Sequence, residues 1–251
     1  MAGHSKWKSI KHKKAIVDAK KGQAFGKVAR EIMVAAKLGG ASQETNSRLR
    51  FAIGKARDVN MPKDKVEAAI KKGTGELPGL TYEEMTIEGY GSGGIAILVE
   101  AVTDNRNRTS AELRSIFSNH NGNLAGAGSV SWQFQTKGAV VVSAARVEEE
   151  RLMNLALEGG AEDIARDGEL FTVTTPPQEL ERVKQVLTAN QLAWESADLT
   201  KLPSSSVRVE DPAVAKRLLV LLDALEEHED VQHVYANFDM PDALLAEHAA
   251  A

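Results

Sequence analysis

The side chains best suited to chemistry in this sequence are lysines and arginines crowded into its first 72 residues. Residues 1–72 carry 18 Lys and Arg against 6 Asp and Glu, whereas residues 73–251 carry 13 against 29. Cationic side chains at this density neutralise phosphate groups, with release of counterions. We therefore expect the N-terminal part of the chain to attract polyanions and the remainder to repel them.

A basic arm with a single tryptophan occupies residues 1–17. Its candidate nucleic-acid-binding residues are Lys6, Trp7, Lys8, Lys11, His12, Lys13 and Lys14. The lysines would pair with phosphates, and the indole would stack on a base or pack against a sugar. The alternative is a solvated tail that only keeps the protein soluble. Because the residues that follow are also basic, we favour nucleic acid as the partner.

A second group of cations lies on three predicted helices behind the arm. It consists of Lys20, Lys21, Lys27, Arg30, Arg48, Arg50, Lys55, Arg57, Lys63, Lys65, Lys71 and Lys72. These residues either form one continuous basic surface or are spread around the helices and merely solubilise them. The sequence shows no helix-turn-helix signature and is richer in lysine than in side chains placed for base reading. We therefore expect salt-sensitive binding to the backbone, of DNA or equally of RNA.

A third group forms a basic island in the acidic part of the chain. It comprises Asn105, Arg106, Asn107 and Arg108, beside a predicted helix start. Helix N-termini favour phosphate, so these residues are a candidate anion-binding loop. The alternative is a plain turn that leads into a capping box beginning at Thr109. Both interpretations are open at the level of sequence.

The sequence patterns that signal catalysis or metal binding are missing. Gly91–Gly94 lacks the Lys-Ser/Thr ending of a phosphate-binding loop, and the six histidines show no metal-ligand spacing. Glu148–Glu150 fits the first turn of a helix, and we interpret the acids from Asp223 to Asp230 as solvated. We therefore predict a protein that is not an enzyme and that has no metal, no cofactor and no small-molecule substrate.

Composition and hydropathy predict the compartment. The chain contains no cysteine, which fits a reducing environment. Its first thirty residues lack the apolar core of a secretory signal, and no apolar run approaches the length of a membrane span. We predict a cytoplasmic protein without a membrane partner.

Apolar periodicity defines the three helices that position the basic residues. The first carries an apolar stripe from Phe25 to Ala36, and the second carries one from Leu49 to Ala56. The third begins near Pro62, and we expect Gly73 to form its C-terminal cap. These elements predict a small basic three-helix bundle within residues 1–75.

The remaining chain alternates between strand and helix patterns. Residues 76–136 predict a hairpin, a helix after Thr109, and a strand on which Val130, Trp132 and Phe134 alternate. Residues 137–203 predict β-α-β-β-α-β order, which is typical of a ferredoxin-like unit, with Thr175 capping its second helix.

The last predicted helix and strand cannot bury their apolar faces alone. We therefore expect residues 204–251 to complete the domain of residues 76–136, with residues 137–203 inserted, and the tail after Pro241 to fray. The predicted fold class is α+β multidomain: the helical bundle followed by two α+β domains, one ferredoxin-like and inserted into the other.

Several segments of this chain carry a family resemblance. They are Gly3–Trp7, Lys11–Ala15, Asn60–Asp64, Ala69–Gly75, Glu88–Gly91 and Thr103–Thr109. Together they resemble the YebC/PmpR family over essentially the whole chain. The resemblance implies an N-terminal helical bundle, two α+β domains, and a cytoplasmic transcriptional regulator that binds DNA.

The same resemblance also implies an alternative function. Mitochondrial members look like translational activators of cytochrome oxidase, and bacterial members are linked to ribosomes stalled on proline-rich sequences. The alternative is therefore a ribosome-associated translation factor that contacts ribosomal or transfer RNA. The expected partner is nucleic acid, together with either the ribosome or the transcription machinery. Because the resemblance names no defined binding residues, the candidates above come from charge and position.

Overall fold

The computed structural model describes residues 18–250, and these fold into two compact units. One unit comprises Trp132–Arg208 with Asn237–Asp239. The other contains residues 18–131, Val209–Ala236 and residues 240–250. The basic arm, with Lys6, Trp7, Lys8, Lys11, His12, Lys13 and Lys14, lies outside the described residues.

Helices and strands alternate along the described chain. In order they are α1 (Asp18–Gly39), α2 (Ser47–Asp58), α3 (Lys63–Thr74), β1 (Glu83–Gly91), β2 (Ile95–Thr103), α4 (Arg106–Asn119), β3 (Asn123–Leu124), β4 (Phe134–Ser143), α5 (Glu149–Glu158), β5 (Asp163–Asp167), β6 (Leu170–Thr175), α6 (Leu180–Ala189), β7 (Ser196–Pro203), β8 (Val207–Arg208), α7 (Pro212–Glu227), β9 (Val231–Ala236), β10 (Phe238–Asp239) and α8 (Asp242–Ala250). None of the helices in residues 18–250 is both long and apolar enough to cross a membrane.

Helices α1, α2 and α3 form the predicted bundle around an apolar core of their own. The buried core residues are Val28, Ile32, Ala35, Ala36, Leu49, Ala52, Ile53, Ala56 and Ala69. Asn46 fixes the turn between α1 and α2, because its Oδ1 accepts the N–H of Leu49 at 3.0 Å. Its Nδ2 donates to the carbonyls of Ala35 and Gly40, both at 2.8 Å, so this buried amide joins the end of α1 to the start of α2.

The end of α3 differs from the expectation that Gly73 is its cap. The helix continues to Thr74, and Gly75 forms the left-handed cap with φ +83°. Gly73 instead lies where α3 crosses α1, and a Cβ there would collide with the backbone carbonyl of Met33. The glycine is required for close helix packing rather than for termination.

A four-stranded antiparallel sheet follows the bundle in the same unit. Its strand order is β3-β1-β2-β9, so the C-terminal strand β9 pairs with β2, with Ile97 opposite Ala236. Helices α4 and α7 supply buried side chains that include Leu113, Phe117 and Leu218. Residues 204–208 group with the inserted segment, so the chain returns to this unit at Val209 and completes the sheet with β9.

The inserted segment forms the predicted ferredoxin-like unit. Its elements follow the order β4, α5, β5, β6, α6, β7, and the sheet order is β5-β6-β4-β7. Buried Val140 on β4 and Val173 on β6 share the apolar core with Leu152 of α5 and Leu187 of α6. The predicted α+β class, with a ferredoxin-like insertion, is confirmed.

Three local expectations in the α+β segments are wrong. Helix α4 begins at Arg106, since Asn105 rather than Thr109 caps it: Asn105 Oδ1 accepts the N–H of Arg108 at 3.1 Å. Trp132 is 73% exposed in a short 3₁₀ turn and is not a strand residue. Thr175 is the last residue of β6 and does not cap α6, because its hydroxyl donates a hydrogen bond to the carbonyl of Pro176.

The C-terminal tail is ordered helix, contrary to the expectation that it frays. Leu245 of α8 is only 1% exposed, and Met240 before it is 3% exposed. His248 Nε2 lies 2.7 Å from a carboxylate oxygen of Asp223, which ties α8 to α7. The alanine-rich sequence favours helix, and these contacts stabilise a segment too short to stay helical alone in water.

Candidate nucleic-acid interface

Helix α1 makes tertiary contacts on two opposite faces. One face carries Val28 and Ile32 into the bundle core. The opposite face carries a stripe at i, i+4, i+7, i+11 and i+14, formed by Gln23, Lys27, Arg30, Val34 and Lys37. We call these five residues the joint stripe. Val34 in the middle is 3% exposed but does not belong to the bundle core, so the stripe faces another part of the unit.

Two residues of the joint stripe bind the C-terminal end of α7. Gln23 Nε2 donates to the backbone carbonyl of Glu227, and Lys27 Nζ donates to that of Glu226 at 2.6 Å. The last carbonyls of a helix have no partner within the helix and carry its negative dipole end, so donors and cations are favoured there. Lys27, a predicted nucleic-acid contact, is therefore engaged inside the protein.

Arg30 binds the turn that follows α7. Its guanidinium donates to the carbonyl and carboxylate of Glu229, the latter at 3.0 Å, and lies 3.7 Å from Asp230. It also sits 5.7 Å from the ring centre of Tyr82. Burial alone would lower the pKa of Arg30, but bonds to Tyr82 and Glu229 and the charge of Asp230 raise it overall.

Three of the four cations of α2 also have partners. The guanidinium of Arg48 donates one hydrogen bond to each carboxylate oxygen of Glu84 at the start of β1, one of them at 3.0 Å. The hydrogen bond between these side chains raises the pKa of Arg48 and lowers that of Glu84. Lys55 reaches Glu31 at 3.2 Å.

Arg50 donates to a backbone carbonyl in the turn before its helix, that of Gln43, at 2.9 Å. Five of the predicted contact residues therefore bind other parts of the chain. They are Lys27, Arg30, Arg48, Arg50 and Lys55.

The remaining described cations among the predicted contact residues point outward. We call them the outer set: Arg57, Lys63, Lys65, Lys71 and Lys72, all of which are exposed. Lys63 approaches Glu67 at 3.8 Å, and the side chains of the other four make no hydrogen bond or ion pair with another described residue. Lys65 and Lys72 are seven residues apart and share one flank of α3. Lys20 and Lys21 belong to the first turns of α1, and nothing further is described of their side chains.

The predicted anion-binding loop forms the N-terminus of α4, and the chain's own carboxylates contact its arginines. Arg108 Nη2 donates to Asp230 at 2.7 Å and to Asp104 at 2.9 Å. Arg106 pairs with Glu83 at 3.3 Å. Asn105 and Asn107 are exposed at the same helix start.

Asp230 is the carboxylate that the sequence analysis wrongly described as solvated. It is 1% exposed and accepts the hydroxyl of Thr109 at 2.7 Å as well as the guanidinium of Arg108. Burial alone would raise the pKa of Asp230, but these hydrogen bonds and the charges of Arg108 and Arg30 lower it. Because Arg108 and Asp230 lie far apart in sequence, no local pattern indicates the pair.

Asp230 also belongs to a group of potential metal ligands. Donor atoms of Glu112, His228 and Asp230 lie within 4.8 Å of one another. His228 bonds to Glu112 at 2.9 Å through Nε2 and accepts the N–H of Asp230 at 3.1 Å through Nδ1. Arg108 lies 3.8 Å from Glu112 and already places a positive charge in the group. We interpret this group as a structural ion-pair network.

A second buried carboxylate, missed by the sequence analysis, organises the glycine-rich loop after β3. Glu88 is 7% exposed and accepts backbone N–H groups of Gly128 at 2.7 Å, Val130 at 2.6 Å and Ser131 at 3.0 Å. Burial alone would raise the pKa of Glu88, but these bonds lower it overall. The glycines of the loop are the one sequence signal of such a cradle, since they bring successive N–H groups together.

Family profiles match nearly the whole chain. One described as "TACO1/YebC protein N-terminal domain" matches residues 5–76, and one described as "TACO1/YebC second and third domain" matches residues 82–238. The bundle thus falls within the first profile, and both sheets fall within the second.

Individual proteins are similar over their full length. A protein of Syntrophobacter fumaroxidans is 51% identical and one of Sulfurihydrogenibium sp. is 52% identical, each over 98% of both chains. Both are named "Probable transcriptional regulatory protein". The crystal structure of a conserved hypothetical protein from Aquifex aeolicus is 48% identical with a TM-score of 0.83, covering 90% of this chain and 93% of that one.

Proposed function

The chain belongs to the TACO1/YebC family, and from that premise we propose that it regulates gene expression by binding DNA through its N-terminal bundle. The names of its relatives support a regulator of transcription. The observation that carries the proposal is the outer set on α2 and α3. These cations are exposed, and four of the five have no partner among the described residues.

The chemistry of the outer set favours contacts to phosphate over contacts to base edges. Four of its five members are lysines, which act as flexible point charges, and Arg57 is its single arginine. Base-specific readout relies on bidentate side chains placed in a groove. We therefore propose binding with modest sequence preference, in which Lys65 and Lys72 neutralise two neighbouring phosphates. The lack of cysteine supports a cytoplasmic site of action.

The test is a paired charge deletion measured against salt. The double variant Lys65→Ala/Lys72→Ala should bind a 20-base-pair DNA about tenfold more weakly at low salt. Its plot of log affinity against log salt should flatten by roughly 2, because each lost phosphate contact removes about 0.9 from the slope.

The matched control deletes two cations elsewhere in the same unit. Lys216 and Arg217 are both exposed on α7, so Lys216→Ala/Arg217→Ala removes the same charge from a surface outside the bundle. We expect nearly unchanged affinity and slope for this control. Equal losses for the two double variants would mean that only the net charge of the protein matters, and the proposed surface would be wrong.

A second candidate is a ribosome-associated translation factor. It is favoured by the same lysine-rich surface, since backbone contacts serve ribosomal RNA as well as DNA. Sedimentation separates the two candidates. A translation factor should travel with ribosomal particles at low salt and lose them when Lys65 and Lys72 are changed to alanine, whereas a DNA regulator should remain at the top of the gradient.

A further inference from the structure

We propose that Lys27, Arg30 and Arg48 form a second polyanion-binding surface, which acidic groups of the same chain cover in this structure. The inference rests on the proposed function, because it assumes that nucleic acid is the competing polyanion. In the described state, the end of α7, the following turn and Glu84 occupy the places that phosphates would take.

The covering contacts have the chemistry of phosphate recognition. Arg48 binds Glu84 through two parallel hydrogen bonds, which is the fork geometry that guanidinium groups also offer to phosphates. Arg30 binds both a carboxylate oxygen and a carbonyl of Glu229. The surface therefore recognises anionic oxygens already, and a nucleic-acid backbone presents the same atoms at higher charge density.

The bundle is built so that it can separate from this cover. Its core consists of residues from its own three helices, so separation would leave that core intact. The joint stripe contributes one buried aliphatic side chain, Val34, beside four polar ones. Residues 75–81, which connect the bundle to β1, are exposed throughout.

Separation would also leave no isolated charge in the acidic part. Asp230 keeps its hydrogen bonds to Arg108 and Thr109, both at 2.7 Å, without any contribution from the bundle. Glu229 and Glu84 have half-exposed to exposed side chains that water can solvate. The cost of removing one partner from a buried ion pair is therefore avoided.

These properties define a two-state equilibrium that a polyanion shifts. In the covered state Lys27, Arg30 and Arg48 are occupied while the outer set binds nucleic acid, and in the separated state these three residues bind as well. A ligand shifts such an equilibrium by its difference in affinity for the two states. Weakening the cover should then raise the apparent affinity, because less binding energy is used to separate the bundle.

The first experiment weakens the cover without changing any cation. The double variant Glu84→Gln/Glu229→Gln should bind a 20-base-pair DNA about threefold to tenfold more tightly than the wild type. The matched control is Glu44→Gln/Glu76→Gln, which removes two exposed acids at or beside the bundle that do not contact the joint stripe. Equal gains for both variants would show that only net charge changed, and the inference would be overturned.

The second experiment locks the cover in place. The chain has no cysteine, so Gln23→Cys/Glu227→Cys introduces one pair of thiols where the Gln23 side chain reaches the backbone of Glu227. A short bis-methanethiosulfonate linker, which a reductant cleaves, joins the two thiols. The cross-linked protein should bind the DNA severalfold more weakly and with a shallower salt dependence than the same protein after the linker is cleaved by reduction. Identical affinities in the two forms would contradict a covered surface.

Failure of the inference is distinguishable from failure of the proposed function. If the wild type does not bind DNA at low salt, the proposed function itself is wrong. If the wild type binds and Lys65→Ala/Lys72→Ala weakens it, but the glutamine variant matches its control and cross-linking has no effect, the bundle binds only through its outer set.

Discussion

Asp230 and Glu88 are carboxylates that occupy anion-binding arrangements formed by other residues of the same chain. Asp230 contacts Arg108 and Thr109 near the N-terminus of α4, and Glu88 accepts three N–H groups of the glycine-rich loop. Both carboxylates have lowered pKa values despite burial, because the groups around them favour the charged form.

Glu88 should contribute measurable, pH-dependent stability. Glu88→Gln removes charge-assisted hydrogen bonds to the loop, so we expect a loss of about 1–3 kcal/mol in the free energy of unfolding at pH 7. Because its pKa is lowered on folding, this stabilisation is present above its unfolded pKa of about 4.3 and is lost as the pH falls through the folded value. Urea unfolding between pH 3 and 7 measures the difference.

The control for this prediction is Glu44→Gln, which changes an exposed acid of the same unit. Its unfolding free energy should stay within about 0.5 kcal/mol of the wild type at every pH. A Glu88→Gln protein whose destabilisation remains constant down to pH 3 would contradict the assignment of a charged Glu88.

At the residue scale, the sequence predicts which residue types could bind anions, but it does not predict which residues of the chain they contact. Charge and spacing alone select Arg108, Arg30 and Lys27 as candidates for anion binding. Their partners Asp230, Glu229 and Glu226 are roughly 120 to 200 residues away in sequence, so only the tertiary fold brings the pairs together. Long-range pairing therefore divides the predicted basic residues into an engaged group and an outward group.

At the scale of elements, α1 shows that an amphipathic pattern predicts the core-facing side of a helix but not what its polar side contacts. Its apolar stripe correctly predicts the core face with Val28 and Ile32. The opposite face, with Lys27 and Arg30, has the composition of a solvated surface, although it packs against the end of α7. A cationic face that neutralises a helix C-terminus cannot be told from a solvent-exposed face by periodicity.

Glycines in the bundle helices provide a prediction at this scale. Gly73→Ala should destabilise the protein by about 2 kcal/mol, because the added methyl group meets the carbonyl of Met33 and the Cβ of Ala36. Gly54→Ala is the matched change in α2, where nothing lies within 4 Å of the new Cβ. There the better helix propensity of alanine should stabilise by about 0.5–1 kcal/mol.

Urea unfolding of the two glycine variants measures both effects. Opposite signs are expected from the same chemical substitution, since helix propensity favours both changes and only the packing at Gly73 opposes one. A stabilising Gly73→Ala would contradict the close crossing of α1 and α3.

Element boundaries were less predictable than element types. The strong periodic segments predicted β1, β2, β9 and the order of the ferredoxin-like unit, but not the two-residue strand β3. The cap at Asn105, the exposed Trp132 and the ordered helix α8 depend on tertiary contacts, such as His248 with Asp223, that local sequence does not encode.

At the scale of the whole molecule, the basic residues of the N-terminal part serve two purposes: an exposed positive surface and ion pairs within the protein. The surplus of cations in residues 1–72 and of acids in residues 73–251 suggests a polarised surface for polyanions. Some of these cations are paired with acids of the same unit, since Arg30 and Arg48 of the bundle bind Glu229 and Glu84. Net charge along the sequence therefore overstates the positive surface that is open to a partner.

The central claim is that the outer set, rather than the exposed cations of α7, meets nucleic acid. Lysine acetylation read by mass spectrometry, with and without a 20-base-pair DNA, reports every lysine in one sample. We predict that DNA lowers the acetylation rate of Lys65 and Lys72 severalfold and leaves exposed Lys216 on α7 unchanged. Protection of Lys216 with unchanged rates at Lys65 and Lys72 would contradict the claim.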